Sequence, residues 1–191
     1  MKKCVILGGT FNPPHNGHLR ILSEARRAVG ADHAFIIPTA TPPHKADTGL
    51  MSAQQRLDIC RLAAENIDAA ALDIEIKRGG KSYTIDTLEE LCKQYPEHEL
   101  YLTMGSDMLA TLPTWKRYSD ILALAHIIGF AREGVSFEML GEYAEKIRAD
   151  GGKVTLLDIM PDGISSTTIR QRLENGESVA DMLPENVQEY L

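Results

Sequence analysis

The stretch Lys3-Cys4-Val5-Ile6-Leu7-Gly8-Gly9-Thr10-Phe11-Asn12-Pro13-Pro14-His15-Asn16-Gly17-His18 decides how this chain is to be read. An apolar run from Lys3 to Leu7 is too short for a helix and reads as a buried strand. Gly8 and Gly9 follow, and they remove side chains where the strand ends, so backbone amides can approach a ligand. A helical pattern takes over at His18 and runs to Val29, with Leu19, Leu22, Ala25 and Val29 on one stripe and Gly30 as the stop. His18 therefore falls in or just before the first helical turn. There the unpaired N–H groups and the helix dipole favour an anion. His15 and His18 add directed donors, so a polyphosphate suits this turn better than other common ligands. The segment is neither a G-x-G-x-x-G fingerprint nor a P-loop, because no Walker lysine follows.

Working outward, apolar runs keep alternating with helical patterns. Strands are expected at His33 to Ile37, Leu72 to Ile76, Leu100 to Met104, Ala125 to Phe130 and Val154 to Leu157. Helices are expected from Ser52, with Gln55 completing a capping box, and over Ile85 to Tyr95, Phe137 to Ala149 and Thr167 to Glu174. Pro184 opens a short last helix. About six strands and as many helices give an α/β fold, a Rossmann-like three-layer sandwich with a mostly parallel sheet. Residues 1–191 read as one domain, with a C-terminal helical part from about 165. Ligands in such sheets bind beyond the carboxyl ends of the strands. That directs attention to the residues just after Leu7, Ile37, Met104 and Leu157.

Composition narrows the class. The 191 residues carry a formal charge of −7, and 43% are hydrophobic and 25% charged. These are values for a packed globular domain, and the acidic balance argues against nucleic-acid binding. The first hundred residues hold 12 basic and 13 acidic side chains, and the rest 8 and 14, so an anion is more easily met in the first half. Cys4, Cys60 and Cys92 lie far apart with no C-x-x-C pair, which points to buried reduced thiols rather than a disulfide or a zinc site. No stretch approaches the roughly 20 apolar residues of a membrane span. The run after Lys3 is too short for a signal peptide. A cytoplasmic enzyme or binding protein, compatible with a homo-oligomer, is the resulting expectation.

Near the other end stands Ile164-Ser165-Ser166-Thr167-Thr168-Ile169-Arg170. Hydroxyl residues before an apolar-periodic segment mark a helix N-terminus. One serine would satisfy the cap, whereas four hydroxyls and an arginine fork also suit phosphate oxygens.

Gly8-Gly9-Thr10-Phe11 through His15-Asn16-Gly17-His18 resembles the H-x-G-H signature of the nucleotidyltransferase superfamily, and more closely that of bacterial nicotinate-nucleotide adenylyltransferases. The later segment resembles the I-S-S-T-x-I-R motif of the same superfamily. The resemblance spans the whole chain. It implies adenylyl transfer from ATP to nicotinate mononucleotide, giving deamido-NAD and pyrophosphate, with magnesium travelling with the ATP phosphates and no protein metal site. It implies catalytic roles for His15, His18 and Arg170. ATP would be held by Gly8, Gly9, Thr10, Phe11, Gly17, Gly105, Asp107, Ile164, Ser165, Ser166, Thr167 and Thr168.

On the acceptor side, Pro42-Pro43-His44-Lys45 is similar to a segment of that family near the mononucleotide phosphate, which assigns His44 and Lys45 to the acceptor. Ser82-Tyr83-Thr84-Ile85-Asp86-Thr87-Leu88 is similar to its S-Y-T-x-D-T-L segment, implying that amides near Tyr83 and Thr84 receive the pyridine carboxylate. Trp115 is the only tryptophan and sits in a polar, proline-bearing stretch, where it would be a platform for the pyridine ring. Gly105-Ser106-Asp107 matches a G-S/A-D segment, with Asp107 near a ribose. Arg132 faces the same crevice if the strand ends at Phe130, although Glu133 stands where the family often has proline. The family usually has aspartate where this chain has Asn12. The competing readings are a nicotinamide mononucleotide or phosphopantetheine acceptor, and a non-catalytic nucleotide sensor.

Overall fold

The computed structural model describes residues 1–41, 50–132, 134–159 and 163–191. Its six strands are β1 (Lys2–Gly9), β2 (His33–Pro38), β3 (Ala70–Ala71), β4 (His98–Gly105), β5 (Ala125–Phe130) and β6 (Val154–Leu157). They form a single sheet in the order β3-β2-β1-β4-β5-β6, and every pairing is parallel. Order reverses at β1, whose neighbours are β2 on one side and β4 on the other. That reversal opens a crevice at the carboxyl ends of β1 and β4, where doubly wound sheets bind ligands.

The helices are α1 (Asn16–Val29), α2 (Ala53–Glu65), α3 (Ile74–Arg78), α4 (Thr84–Gln94), α5 (Ser106–Thr111), α6 (Tyr118–Leu124), α7 (Phe137–Ala149), α8 (Ser166–Glu174) and α9 (Glu185–Gln188). Strand alternation distributes the core between two layers. Val5 and Leu7 of β1 point to one face, where Leu19 and Leu22 of α1, Ile59 of α2 and Ile169 of α8 cover them. Cys4 and Ile6 point to the other face, beneath Ile85 and Leu88 of α4, Ile121 of α6 and Leu140 of α7. Cys4 and Cys60 are buried and Cys92 is half-buried, all three as free thiols. Burial raises the Cys4 thiol to about 11, so it stays protonated. Among the described residues no helix is long and apolar enough to cross a membrane.

The sequence expectation fails at Leu72 to Ile76. The strand there is only Ala70–Ala71, and Leu72 adds one last bond to the Ile36 carbonyl at 2.9 Å. The chain then turns into α3, with the Lys77 amide donating to the Asp73 carbonyl at 2.8 Å. Alternation of Leu72, Ile74 and Ile76 with two acids imitates a half-buried strand. At this sheet edge, however, Glu75 turns inward, buried against the Thr87 hydroxyl at 2.8 Å. Three short helices, α3, α5 and α6, go beyond the expected six, because five to seven residues leave too little periodicity to read. The first helix also begins earlier than expected, at Asn16 with His15 as its N-cap.

Candidate active site

The turn after β1 is built by packing as much as by its glycines. Phe11 adopts a left-handed φ of 50° and buries its ring. A Cβ on Gly9 would lie 3.0 Å from that ring, so a larger residue would require the ring to shift by a few tenths of an ångström. The same ring meets His18 edge-on, with centroids 5.0 Å apart. Phe11 therefore shapes the site from below through its side chain.

His15 is buried at the N-cap of α1 and His18 sits three residues on, at a half-buried position. Their ring centroids are 3.7 Å apart with planes inclined by 33°. The His15 backbone N–H donates to His18 Nδ1 at 3.3 Å. A neutral ring whose Nδ1 accepts carries its proton on Nε2, so His18 presents an Nε2–H donor. Burial first, then the neighbouring His15 and Arg132, push the His18 pKa well below 6.5. The ring is therefore a neutral donor at pH 7. Gly17 is buried between the two histidines in the first turn.

The N-terminus of α8 docks directly on this turn. The Arg170 guanidinium donates to the Asn12 carbonyl at 2.8 Å, and the Ser166 hydroxyl donates to the Pro13 carbonyl at 2.8 Å. Ser165 caps α8, its Oγ accepting from the Thr168 amide at 3.1 Å. Thr167 is exposed, and Ile164 packs on the apolar layer. Two helix N-termini, of α1 and α8, thus converge with an arginine and two imidazoles beside them. Such a concentration of N–H donors and positive potential favours a polyanion.

Across the reversal point, Gly105 ends β4 and α5 begins at Ser106. Asp107 Oδ1 lies 3.1 Å from Arg132 Nε, both side chains about half exposed. This ion pair passes over Gly105, where a Cβ would lie 2.4 Å from Arg132 Nε. The buried Ser106 hydroxyl accepts from the Arg132 amide at 3.1 Å and holds the chain after β5 in place. The charge of Arg132 is one of the causes that depress His18.

A second group gathers around the start of α4. Tyr83 is its N-cap and Thr84 its first residue. Lys116, next to Trp115, lies 4.2 Å from the Tyr83 ring centroid and 3.5 Å from Asp86 Oδ1. The Thr84 and Trp115 segments, some thirty residues apart, are thus neighbours. Trp115 is half-buried and packs partly on the core near Leu112, so it is both an anchored and a reachable ring. His44 and Lys45 lie outside the described residues.

Two buried ionisable side chains had no place in the sequence reading. Arg56 is completely buried in α2. It stands four residues before Cys60 on the buried stripe of that helix, and a charge on an apolar stripe was the available signal. Glu75 is the other. Burial raises its carboxyl above the usual range, against hydrogen bonds from Thr87 and Ser82 and the charge of Arg78. Arg78 also donates to the Thr87 hydroxyl at 2.8 Å, so the first turn of α4 rests on a Glu75–Thr87–Arg78 cluster.

Comparison with known proteins identifies the family and the fold. Residues 6–172 match the family described as cytidylyltransferase-like. A probable nicotinate-nucleotide adenylyltransferase of Oceanobacillus iheyensis is 42% identical over 192 residues, covering 100% of this chain and 94% of the relative. One from Geobacter sp. strain M21 is 40% identical, covering 97% and 94% respectively. Among solved structures, the Plasmodium falciparum nicotinic acid mononucleotide adenylyltransferase complexed with NaAD has the same fold. Its TM-score is 0.79 at 18% identity, covering 100% of this chain and 94% of that one.

Proposed function

Because the chain belongs to the cytidylyltransferase-like family, and within it to the nicotinate-nucleotide adenylyltransferases, we propose that it joins ATP to nicotinate mononucleotide, releasing pyrophosphate and deamido-NAD. The observation that carries the residue-level reading is the docking of Arg170 and Ser166 on the carbonyls of Asn12 and Pro13. It joins the two phosphate-binding motifs at one crevice.

The reaction needs no general base. The mononucleotide phosphate is already an anion, and it attacks the ATP α-phosphorus as the bond to pyrophosphate breaks. The barrier lies in bringing two anions together and in stabilising the charge that grows on the transferring and leaving oxygens. Fixed donors and accurate placement lower it. His18 Nε2–H and His15, the amides after Gly8 and Gly9, the start of α8 and Arg170 supply those donors. The neutral state of His18 suits a hydrogen-bond donor that neither gives up nor gains a proton. Asp107 accepts from nucleotide hydroxyls, and Arg132 adds charge on the acceptor side. Tyr83 and Thr84 offer the start of α4 to the pyridine carboxylate, with Trp115 against the ring. His44 and Lys45 are assigned to the acceptor phosphate.

Magnesium bound with ATP would supply charge neutralisation at the phosphate oxygens. Among the described residues no group of three or more His, Cys, Asp and Glu is placed to hold a metal.

Turnover of nicotinate and nicotinamide mononucleotide side by side, each with ATP, tests the proposal. Preferred release of pyrophosphate with the nicotinate form supports it. Preference for the nicotinamide form or for phosphopantetheine, or ATP binding without pyrophosphate release, overturns it. Inversion at a chirally labelled α-phosphorus is expected for direct attack, and retention would exclude that step.

A further inference from the structure

Arg56 belongs to none of the phosphate or pyridine motifs, yet among the described residues it is the largest fully buried side chain. Its guanidinium meets four backbone carbonyls. Nη1 donates to Thr10 at 2.7 Å, Nη2 to Thr39 at 2.7 Å and to Ala40 at 3.0 Å, and Nε to Met51 at 3.2 Å. No carboxylate among the described residues offsets its charge, and burial pulls its pKa below the usual guanidinium range while leaving it protonated. A buried cation is costly, and an apolar side chain would fill the same space at lower cost. What an apolar side chain cannot do is bind three separate chain segments at once. A planar fork with five donors can.

Those segments matter. Thr10 lies in the turn after β1 that faces the triphosphate. Thr39 and Ala40 follow β2, and the Ala40 amide donates to Ser82 Oγ at 3.4 Å, next to Tyr83 and Thr84 at the start of α4, which the proposed function gives to the acceptor. Met51 leads into α2. The Met51 amide also donates to Asn12 Oδ1 at 3.0 Å, and the Asn12 carbonyl receives Arg170. One hydrogen-bonded series therefore runs from Arg56 through Met51 and Asn12 to Arg170.

We propose that Arg56 is a positioning residue that holds the ATP-binding turn in register with the chain leaving β2, so that donors for the two substrates keep a fixed separation. This rests on the adenylyl-transfer reading above. Arg56 acts through the Thr10 and Ala40 carbonyls and touches neither substrate.

Arg56→Lys is the informative variant. It keeps a positive charge, but a single ammonium cannot span carbonyls on three segments. The folded variant should lose about 10²-fold in kcat, the scale of a misplacement near 1 Å, while its Kd for ATP rises less than about fivefold. A purely architectural arginine predicts the opposite pattern, a lower melting temperature with kcat within twofold of the parent, and that result overturns the proposal. Should the variant not fold, the parent enzyme decides the matter by ¹⁵N-arginine NMR. Slowly exchanging Nη–H signals of Arg56 that shift on saturation with ATP support the role, and signals that stay in place overturn it. Failure of the parent reading shows separately, as no pyrophosphate release by the unmodified enzyme with nicotinate mononucleotide.

Discussion

Arg170 donates its Nη1 proton to the carbonyl of Asn12 at 2.8 Å, across 158 residues of intervening chain. The contact seats the start of α8 on the turn after β1 and fixes the guanidinium there. In the proposed mechanism its remaining N–H groups would reach phosphate, so binding and architecture would share one side chain.

That sharing sets the expected behaviour of Arg170 variants. Arg170→Ala should lower kcat/KM for ATP by about 10²–10³-fold. It should also cost about 1–2 kcal/mol in urea unfolding, since a charge-assisted bond to a carbonyl is lost. Arg170→Lys should fall between, because the charge remains without the fork. An Arg170→Ala enzyme with unchanged kcat/KM would remove Arg170 from the mechanism.

His18→Ala removes one directed donor at the start of α1. Steady-state turnover at saturating substrates should drop by about 10²–10³-fold while circular dichroism and unfolding stay near the parent's. His18→Gln, which retains an N–H donor, should recover part of the loss. Full turnover in folded His18→Ala would show that the imidazole is not a donor to the reacting phosphates.

The depressed pKa of His18 gives a signed prediction. Between the folded-state pKa and 6.5 the unfolded chain binds more protons at this residue than the folded protein does. Its contribution to stability is therefore fully present above about pH 6.5 and is lost as pH falls below that value. The slope is at most about 1.4 kcal/mol per pH unit for one proton. Stability measured from pH 7 to 5 should fall less steeply for His18→Gln than for the parent. Parallel curves would mean that His18 titrates normally. For the same reason, kcat should show no His18 inflection near pH 6.5.

Trp115 is half-buried beside the Lys116–Tyr83 contact at the start of α4. Trp115→Ala should raise KM for the mononucleotide at least tenfold and change KM for ATP by less than twofold. Some loss of stability is expected too, because part of the indole packs on the core. Equal effects on both Michaelis constants would place Trp115 outside the acceptor site.

Much of this was legible in the residues themselves. The Ser52–Gln55 capping box forms as expected, with the Gln55 amide donating to Ser52 Oγ at 3.2 Å. The stripe of Leu19, Leu22 and Ala25 is buried as its spacing predicts. Caps and periodicities are local, so they can be read within a few residues. Glu75 was not legible, and Arg56 showed only as a charge on an apolar stripe. Both are charged types that ordinarily face water, and what turns them inward lies far along the chain, at Thr87 for one and Thr10 for the other.

The amino-acid order alone determined a mostly parallel α/β architecture with helix starts rich in imidazole, hydroxyl and guanidinium side chains at both ends, because strand runs, glycine turns and caps are encoded in short-range patterns. Only the folded chain decided that Arg170 reaches Asn12, that Asp107 and Arg132 pair across Gly105, and that Arg56 joins three segments. Those relationships depend on how separate layers pack and where sheet order reverses, which no single stretch of sequence contains.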